Sequence, residues 1–300
     1  MRALVTGGGG QLASDLVTLL SGDAVALSHA ELDIDDPAAV DRAFEQHAPD
    51  VVFNCAAFHN VDQCEREPDQ SWATNVRAVA ELAKRPAKLV HLSTNYVFDG
   101  RRSEPYAEDD LPSPRSVYAL TKLAGEYAAL GYAEDSLVVR SGGLYGFAGN
   151  ASKGGNFVQR MIGRARETDP PTPLKMVADQ RLQPTFTEDL ARALIDAVER
   201  DATGVLHLVN EGAMSWYDFT VAIMENAGID VPIEAGTTTI PPGGVDRPLN
   251  GVLARPRADA LGIPKLRPVA DALQDYMSRA GLSAGFSGGL SPGAGVPASA

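Results

Sequence analysis

Cysteine is nearly absent from this chain: Cys55 and Cys64 are the only two in 300 residues. Two cannot build a disulfide framework for a chain of this size, and neither stands among histidines at zinc-ligand spacing, so no metal site is assigned. No stretch comes near the roughly 20 apolar residues that a membrane helix needs. A secretory leader is not expected either, because Met1-Arg2 runs at once into an apolar strand. Basic residues are short as well, 26 Lys and Arg against 39 Asp and Glu, and the net charge of −13 argues against a nucleic-acid partner. A cytoplasmic protein is expected, with neither nucleic acid nor membrane as partner. What is present, 44% hydrophobic residues, suffices for the core of one large α/β unit or of two lobes.

The first half alternates short apolar runs with longer amphipathic stretches. Segments 24–27, 51–54, 89–92 and 137–140 read as buried strands, and 37–47, 68–85 and 114–130 as the helices between them. Pro37 and Pro68 suit the first turn of a helix. Alternation of β and α predicts an α/β fold with a doubly wound parallel (Rossmann) sheet. After about residue 145 the rhythm loosens into a Gly/Ser/Lys loop at 148–156, a proline-rich stretch at 169–173 and a long loop at 237–248. Loops of that size around a Rossmann scaffold read as a smaller C-terminal substrate lobe. The expected division is an NAD(P)-binding domain over 1–145 and a substrate-binding lobe over 146–280, with segments returning to the Rossmann core. Residues 281–300, almost wholly Gly, Ser, Ala and Pro, are expected to be a disordered tail.

Three segments carry chemistry. Ala3-Leu4-Val5-Thr6 runs into Gly7-Gly8-Gly9-Gly10-Gln11-Leu12-Ala13, with an amphipathic stretch after it through Leu16, Leu19 and Leu20. Strand, glycine turn and helix are the context of a dinucleotide fingerprint, in which Gly7 and Gly10 let the backbone approach a pyrophosphate at a helix N-terminus. The second segment is Lys88 to Gly100, an apolar run ending in Ser93-Thr94-Asn95; hydroxyl and amide groups then stand at a strand's carboxyl end, where parallel sheets bind ligands. The third is Tyr118 with Lys122, which an i, i+4 spacing puts on one helix face. Bringing a phenol from a pKa of about 10 to about 7 takes roughly 4 kcal/mol. An ammonium about 4 Å away supplies roughly that amount near a protein surface, so a direct Tyr118–Lys122 pairing is expected.

With those segments, the chain resembles the extended short-chain dehydrogenase/reductase family, in its dTDP-4-dehydrorhamnose reductase branch. The likeness continues through Glu31-Leu32-Asp33-Ile34, Asn54-Cys55-Ala56-Ala57-Phe58, Gly155-Asn156-Phe157-Val158, 179–185, 215–219 and 247–250, in order over about residues 1–280. The resemblance implies NAD(P)H-dependent reduction of the 4-keto group of a nucleotide-linked deoxysugar, foremost dTDP-4-dehydro-L-rhamnose. Tyr118 then protonates the developing alkoxide, Lys122 stabilises the phenolate and holds the nicotinamide ribose, and Thr94 donates to the same oxygen. The implied cofactor contacts are Gly7, Gly10, Gln11 and Leu12 at the pyrophosphate, Asp33 and Ile34 at the adenine, and Ala56 and Ala57 beside its path. Thr94, Asn95, Asn156, Phe157 and Arg181 would meet the nucleotide sugar. Lys153, Arg160, Arg181 and Arg247 are candidates to offset the acidic charge around an anionic ligand.

The cofactor expectation is NADPH, with NADH use left open. Ala26-Leu27 is followed by Ser28-His29, where NAD-specific folds carry an acid for the ribose hydroxyls. Three positions depart from the branch pattern: Asn95 where it has Asp, Gly142-Gly143-Leu144 where it has a Trp, and Phe58 where it has Tyr. They point to an altered, looser sugar pocket. Two other readings stay open: a related nucleotide-sugar epimerase or dehydratase, and a cofactor-binding regulatory subunit resembling that of methionine adenosyltransferase. A homodimer is compatible with all three.

Overall fold

The apolar runs build one six-stranded parallel sheet in the computed structural model, which describes residues 1–148, 155–167, 172–241 and 243–284. Its strands are β1 (Ala3–Thr6), β2 (Ala24–Leu27), β3 (Val51–Asn54), β4 (Lys88–Thr94), β5 (Ser136–Ser141) and a late arrival, Gly204–His207. Across the sheet the order is β2, β1, β3, β4, β5, Gly204–His207. The chain leaves β1 toward one edge, returns, and builds from β3 toward the other. That reversal opens a crevice at the carboxyl ends of β1 and β3, where open α/β sheets bind ligands.

Both faces of the sheet are covered, which is why the strands read as unbroken apolar runs. Ala3, Val5, Val51, Phe53 and Val90 pack on one side in a single cluster with residues of α1 (Gln11–Leu20) and of α8 (Thr187–Glu199). Leu4, Val52, Leu89 and Val138 face the other side, in one cluster with residues of α2 (Pro37–His47), α5 (Ala78–Ala83) and α6 (Val117–Tyr132). Between β3 and α5 the chain also forms α3 (Val61–Arg66) and α4 (Pro68–Trp72), which pack against α6. A third cluster gathers Tyr145, Phe186, Phe219 and Tyr276 with α7 (Phe157–Arg166), α9 (Trp216–Ala227) and α11 (Val269–Arg279), beyond the short α10 (Pro256–Ala260). Among the described residues no helix is long and apolar enough to cross a membrane.

Several boundaries differ from expectation, three of them for a local reason. The helix expected from 114 starts at Val117, because the Ser116 side chain caps it by accepting from Ala119 N at 3.2 Å. Tyr118 therefore stands in the first turn. The helix expected over 68–85 is broken at Ala73–Arg77 by a π turn, a feature that often marks a functional segment. Asn75 in that turn accepts from Phe58 N at 2.9 Å and donates to Phe58 O at 3.0 Å, which fixes the loop after β3. Its own carbonyl lies 2.2 Å from where a Cβ on Gly125 would stand, so only glycine lets α6 pack there. The ordered chain also runs past 280: Leu282 packs on the third cluster, and Ala284 N donates to Asn226 O at 2.9 Å. The remainder of the expected tail, 285–300, lies outside the described residues, as do most of the 148–156 loop and part of 169–173.

Candidate active site

A cavity of about 680 Å³ opens at the carboxyl ends of β1, β3, β4 and β5, between the sheet and the third cluster. Its floor is the glycine loop. Gly7 and Gly9 have φ of +72° and +81°, which side-chain-bearing residues rarely adopt. A Cβ on Gly7 would stand 3.0 Å from Ala56 N, and one on Gly10 would stand 3.0 Å from Gly7 O. Gly10 is the N-cap of α1 and makes no side-chain cap, and no acidic residue sits in that helix's first turn, so the N–H groups there remain available to an anion. Gln11 Oε1 is buried without a hydrogen-bond partner. A cradle that a Cβ would fill, an uncapped helix end and an orphaned amide oxygen fit a dinucleotide pyrophosphate.

Of the other expected cofactor contacts, Leu12 and Ala57 line the cavity, and Ala56 backs Gly7 from behind. Asp33 and Ile34 do not line it: Ile34 is buried in the α2-side cluster, and Asp33 accepts from Asp35 N at 3.0 Å. The end of β2 carries an acid after all. Glu31 folds back to accept from Ser28 N at 2.9 Å and from Ser28 Oγ at 2.6 Å, bonds that hold its carboxyl below the usual range.

The opposite wall brings Thr94, Tyr118 and Lys122 together. Thr94 ends β4, and its hydroxyl accepts from Tyr96 N at 3.2 Å and pairs with the Tyr118 phenol. Tyr96 stands edge-on to the Tyr118 ring, centroids 5.8 Å apart. The expected Tyr118–Lys122 pairing is not what the structure shows. Burial pushes the phenol above the usual tyrosine range, and the group that pulls it back is the Thr94 hydroxyl rather than an ammonium. Lys122 points into the sheet instead, donating to Leu92 O at 2.6 Å with His91 Nε2 at 3.3 Å. Burial lowers its pKa to about 8, against the raising influence of Glu126. Glu126 is itself gripped by Arg140 Nε and Nη2, at 2.9 and 2.7 Å, and by the Ser93 hydroxyl.

Asn95 lines the cavity but its amide is committed, with Nδ2 donating to Gly251 O at 3.0 Å. A Cβ on Gly142 would stand 2.7 Å from Asn95 Oδ1, and one on Gly143 would stand 2.8 Å from Leu182 Cδ1. The glycines therefore accommodate Asn95 and Leu182, and do not leave the loosened space expected of them. Asn156 is spent in the same way. It caps α7 by accepting from Gln159 N at 3.0 Å, and it donates to Gly146 O at 2.8 Å and Tyr276 OH at 2.7 Å. Phe157 lines the cavity against Trp216, ring centroids 4.5 Å apart. No sequence motif marks Trp216 as a site residue; Ser215 and Asp218, which form a capping box, signal only that it begins a helix.

Among the four basic candidates, Arg160 and Arg181 line the cavity and make no ion pair among the described residues. Arg247 is bound to both oxygens of Asp62 at 2.9 Å, and Lys153 lies outside the described residues. No cluster of three or more His, Cys, Asp or Glu side chains suited to a metal occurs among the described residues.

Comparison with known proteins agrees with this geometry. A dTDP-4-dehydrorhamnose reductase from Streptomyces griseus is 40% identical over 280 residues, 89% of this chain and 90% of that protein. The crystal structure of a dTDP-4-dehydrorhamnose reductase from Clostridium acetobutylicum superposes with a TM-score of 0.86 at 35% identity, covering 93% of this chain and 99% of that one. One from Bacillus anthracis in complex with NADP also gives 0.86, at 28% identity and the same coverage. The RmlD substrate binding domain family model matches residues 1–281. The chain belongs to that family, a branch of the extended short-chain dehydrogenases/reductases.

Proposed function

We propose that this protein is an NADPH-dependent reductase that converts dTDP-4-dehydro-L-rhamnose to dTDP-L-rhamnose. The observation that carries the reading is the convergence of the Thr94 hydroxyl, the Tyr118 phenol and buried Lys122 on a cavity floored by a glycine cradle. Relatives that are 35–40% identical over about nine-tenths of this chain bear the reductase name, and one similar structure holds NADP.

Gly7, Gly10, Gln11 and Leu12 hold the cofactor's pyrophosphate, with Ala56 and Ala57 beside its path; Asp33 and Ile34 serve its adenine end from outside the cavity lining. Bound there, NADPH supplies the hydride. Thr94 donates to the substrate's carbonyl oxygen and so stabilises charge where it develops. The high pKa of Tyr118 keeps its proton in place at neutral pH, ready for an alkoxide, which is a far stronger base. Lys122, bonded to Leu92 O rather than to the phenol, offsets the phenolate through space and not by a direct bond. Arg160 and Arg181 face the substrate's diphosphate, Phe157 and Trp216 provide an apolar wall, and Asn95 and Asn156 shape the pocket by holding its backbone. The setting we infer is the cytoplasm.

The test is NADPH oxidation by the purified protein with dTDP-4-dehydro-L-rhamnose, product identified by mass and chromatography. One NADPH consumed per dTDP-L-rhamnose formed is the expected result. Oxidation with a different dTDP-linked keto-sugar only would refute the substrate, and none with any such sugar would refute the reductase.

A further inference from the structure

Three buried polar side chains lie beneath the cavity with no part in the chemistry above. His91, Asn54 and Thr6 stand on the adjacent strands β4, β3 and β1, all fully buried, with Asn54 in register with both neighbours. They form an unbroken row. Thr6 Oγ1 donates to Asn54 Oδ1 at 2.7 Å, Asn54 Nδ2 lies 3.1 Å from His91 Nδ1, and His91 Nε2 lies 3.3 Å from Lys122 Nζ. One end of the row is the lysine beside the reacting centre. The other is the residue before Gly7, whose hydroxyl also accepts from Ala56 N at 3.2 Å.

Counting hydrogens exposes a conflict. A neutral imidazole has one N–H and one lone pair, so it can accept from only one of its two neighbours. His91 is neutral, since burial and the Lys122 charge hold it well below the usual histidine range. If Asn54 donates to Nδ1, the ring hydrogen is on Nε2, and Lys122 must accept it as an uncharged amine. If Lys122 is an ammonium, Nε2 must accept, the hydrogen is on Nδ1, and Asn54 must turn its oxygen to the ring and its NH₂ to Thr6.

We propose that His91, oriented by Asn54, is a positioning residue that couples the protonation of Lys122 to the hydrogen bonding of Thr6 at the base of the cofactor loop. Raising the pH takes one proton from the pair to solvent. Nζ keeps two hydrogens, the ring hydrogen passes from Nδ1 to Nε2, the Asn54 amide turns over, and the ring is neutral before and after. The titration of Lys122 to about 8 puts this exchange in an accessible range. The other groups facing Lys122 do not provide the switch. Glu126, one turn along α6, is locked by Arg140 and Ser93, Tyr118 is paired with Thr94, and burial pushes the Cys55 thiol up to about 12. The inference rests on the reductase reading only in its consequence for turnover.

The first test needs no substrate. The full-length protein is labelled with ¹⁵N-histidine, and two-bond ¹H–¹⁵N correlations are recorded as the pH is raised through the lysine titration; His91→Phe identifies the signal. The ring hydrogen should sit on Nδ1 below the titration and on Nε2 above it, and Lys122→Met should abolish the change. A tautomer that never changes, or that changes equally in Lys122→Met, overturns the proposal.

The second test reads the basic limb of kcat against pH. Asn54→Asp keeps an acceptor for Thr6 and fixes the hydrogen on Nδ1, so the limb should move up by about one pH unit. His91→Phe removes the acceptor for the ammonium and should move it down by a similar amount. Limbs that stay put in both variants also overturn the proposal. Absence of turnover in the wild type would refute the reductase assignment and leave the spectroscopic result to decide the relay alone.

Discussion

Lys122 is a charge almost wholly withdrawn from water, 2% exposed, with its pKa brought down from the ordinary lysine range to about 8. The gap from about 10.4 to about 8 corresponds to roughly 3 kcal/mol by which folding disfavours the ammonium. Replacing it with Met keeps an unbranched chain of similar length in the same slot and removes that penalty. The losses to set against it are the bonds to Leu92 O and to His91 Nε2, together worth about 2 kcal/mol. Lys122→Met should therefore be more stable than wild type by about 1 kcal/mol at pH 7, while reduction is lost.

The sign with pH follows from linkage. Between about 8 and about 10.4 the unfolded lysine binds a proton that the folded one has released, so wild-type stability rises with pH in that window. Below about 8 both states are charged and the gap is constant. Above the window the penalty is gone, and the variant should be weaker by about 2 kcal/mol, the two lost hydrogen bonds. Urea unfolding of both proteins at pH 7 and pH 10.5 measures the difference, in which all other titrating groups cancel. A variant no more stable than wild type at pH 7, or a difference unchanged between the two pH values, would show that the buried Lys122 charge does not cost the fold stability.

Tyr118→Phe should lower kcat roughly 10²- to 10⁴-fold, the usual loss of a general acid, with NADPH affinity almost unchanged; turnover near wild type would mean that another group gives the proton. Asn95→Asp replaces an amide donor with a carboxylate facing Gly251 O, and should cost about 1–3 kcal/mol in thermal or urea unfolding. An unchanged melting temperature would show that the Asn95–Gly251 bond does not hold the pocket. Glu31→Gln removes the negative charge at the end of β2 and should raise the NADPH-over-NADH affinity ratio by roughly threefold to tenfold at low salt. Equal ratios measured by fluorescence titration would place the ribose phosphate away from Glu31.

Strands 24–27 and 51–54 and helix 37–47 were legible to the residue, because strands covered on both faces leave continuous apolar runs and Pro37 marks a helix start. The glycine loop was legible for the same kind of reason: Gly7 needs a backbone conformation and a close approach that other residues do not tolerate. The π turn at Ala73–Arg77 was not, since the partners that favour it, Phe58 and Thr121, lie on other elements. Trp216 is far from Thr94 along the chain, and only the packing of α7 against α9 brings it to the same cavity.

What the sequence determined by itself was therefore local and periodic: the β/α alternation, the glycine cradle, and Tyr118 and Lys122 on one helix face. Tertiary structure decided where the polar groups point. Lys122 turns to Leu92 O and His91 because β4 presents an acceptor there, and Tyr118 turns to Thr94. Asn95, read from sequence as a sugar contact, spends its amide on Gly251, 156 residues away. A buried donor must take the acceptor that folding places beside it, and no spacing along the chain reveals which acceptor that is.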